Sequence, residues 1–393
     1  MSSNLALETL NTVVSNAITL ISQLEAVVGG IAPQKVTDAS NGVVTTKPQG
    51  TADPIDALSL AHDSVALIKA HATKISLLII NEPFTPTAIT SVLRELITGP
   101  LPALASAVQL CTAERYTQTL QQELAWQGGR VLRELRELLS KIPNDGRILS
   151  GEKKDSSVGS AAGKGSLAAT GVLWAACDDV IAFSKRGFAG NLVHKVEQFR
   201  DMLKDIMEEL KEWGEETGDD EDDDDEDSPE DDNIDEVTGS LRATHISASQ
   251  NTQNAQDMLD DLMNSQQYIP RDDPDKIRER LESCLKRLRL TSLLYQATMK
   301  RRLKALPRLP PTPESKITAR LNEVMPLLKR IPDCFGSLAL AFYELDPTEI
   351  DRLMDQCFFD AFAVSKLLVK PWEGQKDEFT DWALRFQVEV KKG

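Results

Sequence analysis

The segment Gly159-Ser160-Ala161-Ala162-Gly163-Lys164-Gly165-Ser166 is the nearest approach in this sequence to a phosphate-binding loop. Such a loop needs four residues between its first glycine and the Gly-Lys pair, and then a Ser or Thr to meet magnesium. Here three residues intervene and Gly165 follows Lys164. No strand pattern precedes it, so the composition describes a flexible connection rather than a nucleotide site. The histidines, His62, His71, His194 and His245, lie too far apart for a short metal motif. His62 and His71 are nine residues apart on one expected helix, two and a half turns, and so face different ways. His194 falls near the start of its helix and is expected at the surface. Adjacent carboxylates such as Asp178-Asp179 and Asp260-Asp261 diverge by about 100° on a helix, which suits solvated faces better than shared acid/base work.

The five cysteines, Cys111, Cys177, Cys284, Cys334 and Cys357, are odd in number and widely spaced, with no CxxC and mostly apolar neighbours. That pattern fits reduced core thiols better than a disulfide framework or a zinc site. Neither HExxH nor GxSxG occurs, and no histidine adjoins a cysteine nucleophile. No catalytic residue, cofactor or metal is therefore expected, and the chain reads as a non-enzyme.

The elements that would carry any other function are helical. Leu10, Val13, Val14, Ala17, Leu20, Ile21, Leu24, Val27 and Val28 recur at three- and four-residue steps until Gly29-Gly30 stops them. After a polar loop at 31–53, the pattern predicts a helix over Pro54–Ile80 with Asp53 as its N-cap and Pro54 at the first helical position. Its apolar stripe is Leu58, Ala61, Val65, Ile68, Ala72, Ile75 and Ile79. Thr85-Pro86 restarts a helix that Gly99-Pro100 and Pro102 must break or kink. A fourth helix is predicted over Glu114–Lys141, then a Gly/Ser/Ala/Lys-rich loop over 144–166, and helices over Ala168–Lys185 and Ala189–Trp213 parted by Gly187. Further helices are expected at 251–267, 275–305, 314–343, 347–369 and 376–391, with Pro326 and Pro332 kinking the third of them.

At 393 residues the chain is long enough for two or three cores, and no apolar run reaches 18 residues, which argues against a membrane span. Met1–Leu20 lacks a basic leader and carries Glu8, so an intracellular protein is expected. Its net charge of −17 comes from one place: the segment 215–236 holds 16 acidic residues and no basic one, leaving 44 basic and 45 acidic residues elsewhere. Such a run repels itself and buries nothing. The resulting architecture is all-α: an N-terminal bundle over 1–214 with a flexible loop at 144–166, a disordered acidic linker at 215–250, and a second antiparallel bundle over 251–393.

Residues 275–308 reverse the charge, with 11 Lys or Arg against three acids. Ile277, Leu281, Cys284, Leu285, Leu288, Ser292 and Tyr295 form their buried stripe, while Lys286, Arg287 and Arg289 decorate the remainder. Lys300-Arg301-Arg302-Leu303-Lys304 resembles a nuclear-localisation patch and equally suits a solvated helix end. These seven cations are the candidate interaction residues, and the acidic linker is a candidate mask for them. Direct nucleic-acid binding is disfavoured, because stacking aromatics other than Tyr295 are missing and the acidic run competes with phosphate. Ser228, within Asp227-Ser228-Pro229-Glu230-Asp231, is a candidate site for an acidophilic kinase. The aromatics Phe335, Phe342, Tyr343, Phe358, Phe359 and Phe362 are expected to hold helices together or to line a groove for a partner helix.

Taken in order, the Thr/Ser-bearing second helix, the stretch Val172-Leu173-Trp174-Ala175-Ala176-Cys177-Asp178, the Lys/Glu-rich helix Asn191–Trp213, the acidic interruption and the Cys284-Leu285-Lys286-Arg287-Leu288-Arg289 helix resemble the cyclin-D-binding protein family, also called GCIP or Maid-related. The resemblance implies an all-helical, non-enzymatic interaction protein of nucleus and cytoplasm. Its implied partners are D-type cyclins and helix-loop-helix transcription regulators, in cell-cycle or transcription control. No family motif assigns cyclin-contacting residues. Two other readings fit the helices and the charge: a cytoskeletal or scaffold bundle of vinculin or talin type, and an acidic chaperone for basic proteins.

Overall fold

The computed structural model describes residues 2–31, 55–146, 165–215, 268–307, 310–311, 315–372, 374 and 376–392. Nearly all of the polar loop at 31–53, most of the 144–166 loop, nearly all of the acidic run with Ser228, and the helix expected at 251–267 lie outside them. Every element among the described residues is helical, as the periodicity required. They are α1 (Ser2–Gly29), α2 (Ala57–Ile80), α3 (Pro86–Thr98), α4 (Pro100–Leu110), α5 (Ala113–Tyr116), α6 (Gln118–Ser140), α7 (Ser166–Glu215), α8 (Ile277–Thr298), α9 (Lys316–Tyr343), α10 (Pro347–Leu368) and α11 (Glu378–Glu389). A π-helical turn, Met299–Leu303, follows α8.

Two compact units divide these helices. The first comprises 1–195, 298–326 and 372–374, and the second 196–297, 327–371 and 375–393. In the first, α1 packs on α6, α3 and α4, and α2 packs on α4 and α3. Leu10, Val14, Ala17, Ile21 and Val28 of α1 are buried, as is the whole predicted stripe of α2 from Leu58 to Ile79. Burial at three- and four-residue steps, at about 25 cal/mol per Å² of apolar surface, is what holds such helices together. By length and composition alone, α1 and α7 are apolar enough to cross a membrane. In the fold each instead buries one stripe within the protein, in α7 Ala169, Leu173, Ala176, Cys177, Val180 and Phe183. Gly128 lets α6 approach α4, since a Cβ there would lie 3.1 Å from Val108 Cγ2.

Several predicted boundaries move. The N-cap of α2 is Asp56 and not Asp53, and the helix opens at Ala57 rather than Pro54. Asp56 accepts from Leu58 N and Ser59 N, and the Tyr116 hydroxyl donates to it at 2.7 Å while accepting from Ala57 N at 2.9 Å. Tyr116 lies 59 residues from Ala57, so the sequence around Pro54 carries no trace of this choice. The helix expected over Glu114–Lys141 is two, because Thr117 takes φ 76° between α5 and α6. Asn322 bridges the break, accepting from Gln118 N at 2.7 Å and donating to Ala113 O at 3.0 Å. Gly187 breaks α7 where expected, at φ 70° and ψ −173°. Asn191 donates there to Phe183 O and Gly187 O at 2.7 and 2.8 Å.

Helix α9 runs unbroken through Pro326 and Pro332, the positions at which kinks were expected. Pro332 has no N–H for the Leu328 carbonyl four residues earlier. The Tyr295 hydroxyl, fully buried on α8, donates to that carbonyl at 2.6 Å. Burial also pushes the Tyr295 phenol well above its ordinary pKa, so it remains a donor across the working range. Phe335 and Phe358 meet edge to face at 5.4 Å, and Trp213 joins Phe342 and Tyr343 at 6.2 and 5.3 Å. The predicted aromatic cluster thus holds helices together, with Phe359 as its exposed member at 64%.

Tyr295→Phe should cost about 1–3 kcal/mol by leaving Leu328 O unsatisfied. Pro332→Ala restores a helical N–H to that carbonyl, so the double variant should lose less than the sum of the single variants. Urea denaturation of the four proteins measures the coupling, and strict additivity would count against the assignment.

Candidate functional site

The seven candidate cations fall into two groups with different surroundings. Lys286 and Arg289 are exposed on α8, whereas Arg287 is half-buried. Its guanidinium lies 3.7 Å from the centroid of Phe358, and its Nε donates to Val390 O at 3.1 Å. Lys300, Arg301 and Lys304 are exposed, but Arg302 is 1% exposed, and its carbonyl accepts from Trp372 Nε1 at 2.7 Å. The stretch 300–304 therefore does not present all of its cations to solvent. Ser228 lies outside the described residues.

A groove of about 540 Å³ runs beside α8, lined among others by Arg280, Ser283, Arg287, Asp351 and Asp355. Its charges are largely engaged with one another. Arg280 grips Asp351 through Nε and an Nη at 2.8 and 2.9 Å, and that bond holds the Asp351 carboxyl below its usual range. Across α9 and α10, Arg330 forks onto Asp360, which is 0% exposed and also accepts from Gln356 at 3.0 Å.

The titratable groups weighed earlier do not converge. His62 sits beside Asp63 at 3.0 Å. His71 is buried, with Nδ1 3.7 Å from Glu95. Burial lowers the His71 pKa, Lys74 adds to this and Glu95 opposes it. Burial pushes Cys111, Cys177 and Cys284 up to about 12, as expected of reduced core thiols. Among the described residues no group of three or more His, Cys, Asp or Glu is placed to hold a metal ion.

The arrangement that the sequence did not reveal is a seam between α2 and the first half of α7. Three pairs run along it in antiparallel register. Lys69 Nζ meets Asp178 at 2.6 Å, Trp174 Nε1 donates to Thr73 Oγ1 at 3.1 Å, and Thr170 donates to Ser76 at 2.9 Å. Buried Leu173, Ala176 and Cys177 anchor α7 from within, so the Trp174 ring is left on the surface, 39% exposed. Leu77, one turn beyond Thr73, is 51% exposed, and Leu167, two turns before Trp174, is 60% exposed. Exposed Gly171 lies between them on α7 with open space above its Cα. A tryptophan held by its polar edge beside open glycine and leucines offers rigid apolar area, the kind of surface that recognises another protein.

These features define the class: an all-α protein of amphipathic helices with an exposed tryptophan fixed at its polar edge. Comparison with known proteins then narrows it. The family model described as "Grap2 and cyclin-D-interacting, N-terminal" matches residues 61–216, from α2 to the end of α7. The expected resemblance is thus supported over residues 61–216, the stretch that contains the seam. The part of the expected likeness beyond the acidic run falls outside the matched stretch. An uncharacterized protein of Schizosaccharomyces pombe is 28% identical over 148 residues, 37% of this chain. The alignment spans 41% of that relative's length.

The seam rests on the start of α2, and the Asp56 cap sets that start. Burial raises the Asp56 pKa, but hydrogen bonds from Ser59, Tyr116 and Leu58 outweigh it and leave the carboxyl below its ordinary 3.8. A depressed carboxylate contributes stability above its unfolded pKa and loses it as pH falls through the folded value. Asp56→Ala should therefore cost about 1–2 kcal/mol at pH 7. The gap between wild type and variant should narrow as pH falls below about 4. Thermal unfolding followed by circular dichroism across pH 3–7 checks this.

Proposed function

We propose that the chain is a non-enzymatic protein-interaction regulator of cell-cycle or transcription control, acting in cytoplasm and nucleus. It binds a cyclin-like helical protein, or a helix-loop-helix transcription regulator, through the α2/α7 seam. One observation carries this reading: Trp174 stands on the surface with its Nε1 fixed to Thr73, inside the stretch that matches the cyclin-D-interacting family model. The polar edge is already satisfied within the fold, so a partner covering the ring strands no donor. The ring is also held in place before binding, which lowers the cost of ordering it. Leu77 and Leu167 extend the apolar area along the two helices, and the Lys69–Asp178 pair gives a polar flank. That flanking pair is half-exposed and solvent-screened, so it serves register more than affinity.

Titration calorimetry of the full chain with a D-type cyclin, and separately with a helix-loop-helix regulator, tests the proposal. One of the two should bind. Trp174→Ala should weaken that complex by about 30-fold or more, the effect of losing an interface anchor worth about 2 kcal/mol. Lys69→Ala should change it by less than about fivefold. Circular dichroism establishes that both variants are folded. Equal affinity for wild type and Trp174→Ala, or no complex with either partner, overturns the reading.

A further inference from the structure

Two cysteines expected to be separate core thiols are placed together in the second unit. Cys334 on α9 and Cys357 on α10 lie with their sulfurs 2.7 Å apart, and the Cys357 thiol donates to Cys334. The two positions are 23 residues apart in the chain, on the two arms of a helical hairpin turned at Glu344–Asp346. Their accessibilities differ: Cys357 is fully buried, whereas Cys334 is half-buried and reachable from solvent.

We propose that Cys334 and Cys357 are a peroxide-oxidisable thiol pair, with Cys334 as the attacking sulfur and Cys357 as the resolving one, closing to a disulfide that staples α9 to α10. The attacking sulfur must be thiolate-like and open to the oxidant, and the resolving sulfur must already be within reach. Cys334 meets the first condition. The hydrogen bond from Cys357 holds its thiol below the ordinary value against the effect of burial, and Arg330 and Arg352 assist while Asp360 opposes. Cys357 is shifted upward, by burial first and then by Cys334, so it remains the protonated partner. Cys111, Cys177 and Cys284 are fully buried, and each is pushed up to about 12.

The oxidant is hydrogen peroxide. The Cys334 thiolate attacks one peroxide oxygen, so an S–O bond forms as the O–O bond breaks, and the departing hydroxide takes up a proton to leave as water. Cys357 then attacks the sulfenic sulfur. The S–S bond forms, the S–O bond breaks, and the hydroxyl leaves as water with the proton from Cys357. In sum, two thiols and one hydrogen peroxide give one disulfide and two waters.

The full-length protein treated with equimolar hydrogen peroxide, alkylated in denaturant and digested should yield a Cys334–Cys357 cross-linked peptide lighter by two hydrogens. Cys111, Cys177 and Cys284 should remain alkylated, and a dithiol reductant should abolish the cross-link. In Cys357→Ala, dimedone labelling of Cys334 should exceed that of wild type by about tenfold, because the sulfenic acid is no longer resolved. In Cys334→Ala, Cys357 should stay reduced. The wild-type arm needs no variant to fold. Oxidation of Cys334 no faster than that of Cys284, or a lasting dimedone adduct in wild type without the cross-link, overturns the proposal.

Discussion

A helix that stops or bends inside a core leaves backbone donors and acceptors with no intrahelical partner, and each such group must be answered by something else. This constraint governs how the protein is built. The helical hydrogen bonding is interrupted repeatedly, at Thr117, Gly187 and Pro332 among others, and a single distant or local side chain meets each interruption. Asn322 spans the gap between α5 and α6, Asn191 takes two carbonyls at the Gly187 break, and Tyr295 supplies the donor that Pro332 lacks. Thr380 does the same at the last connection, donating to Val369 O at 2.8 Å while taking part in the α11 capping box. Apolar burial supplies the bulk of the stability, but these few polar side chains decide which helical arrangement that burial selects.

The breaks in turn create the surface. A straight helix in place of α5 and α6 would not turn Tyr116 onto Asp56 and Ala57, and α2 would lose the partner that fixes its start. With α2 fixed, its register against α7 follows from Ser76, Thr73 and Lys69 meeting Thr170, Trp174 and Asp178 in succession. Moving the start of α2 by one residue would rotate these side chains by about 100° and dissolve the seam. The site is therefore a consequence of capping chemistry some distance from it.

What the sequence showed, it showed where the determinant is local. Gly29-Gly30, Thr85-Pro86, Gly99-Pro100 and Gly187 act through their own backbone restrictions, and the helix boundaries fall at them. The apolar stripe of α2 was legible because burial follows the helical period. Thr117 was not, because a β-branched residue at positive φ is held by its surroundings and leaves no compositional mark. Asp53 and Asp56 are equivalent caps by type, and only Tyr116 separates them. The seam and the Cys334–Cys357 pair stayed hidden for the same reason: each depends on the register of two helices that meet in space. The Val172–Asp178 stretch lies in the helix that carries the seam, but its family likeness does not say that Trp174 lies outward while Leu173 and Cys177 lie inward.

Charge illustrates the limit of composition in the opposite direction. The surplus of cations over 275–308 suggests a strongly basic face, yet the fold draws on several of them for internal work. Arg280 is committed to Asp351, Arg287 to Phe358 and the Val390 carbonyl, and Arg278 to the carbonyls of Gly214 and Ile269, while Arg302 is buried. A guanidinium engaged in this way no longer contributes its full field to a partner, because its nearest countercharge or dipole moves with it. Exposed, half-screened lysines add little specificity of their own. Recognition by this protein is therefore better sought in rigid apolar area with satisfied polar edges than in the sign of its charge. On the described surface, Trp174, with Leu77 and Leu167 exposed further along the same two helices, meets that requirement more fully than the basic helix does.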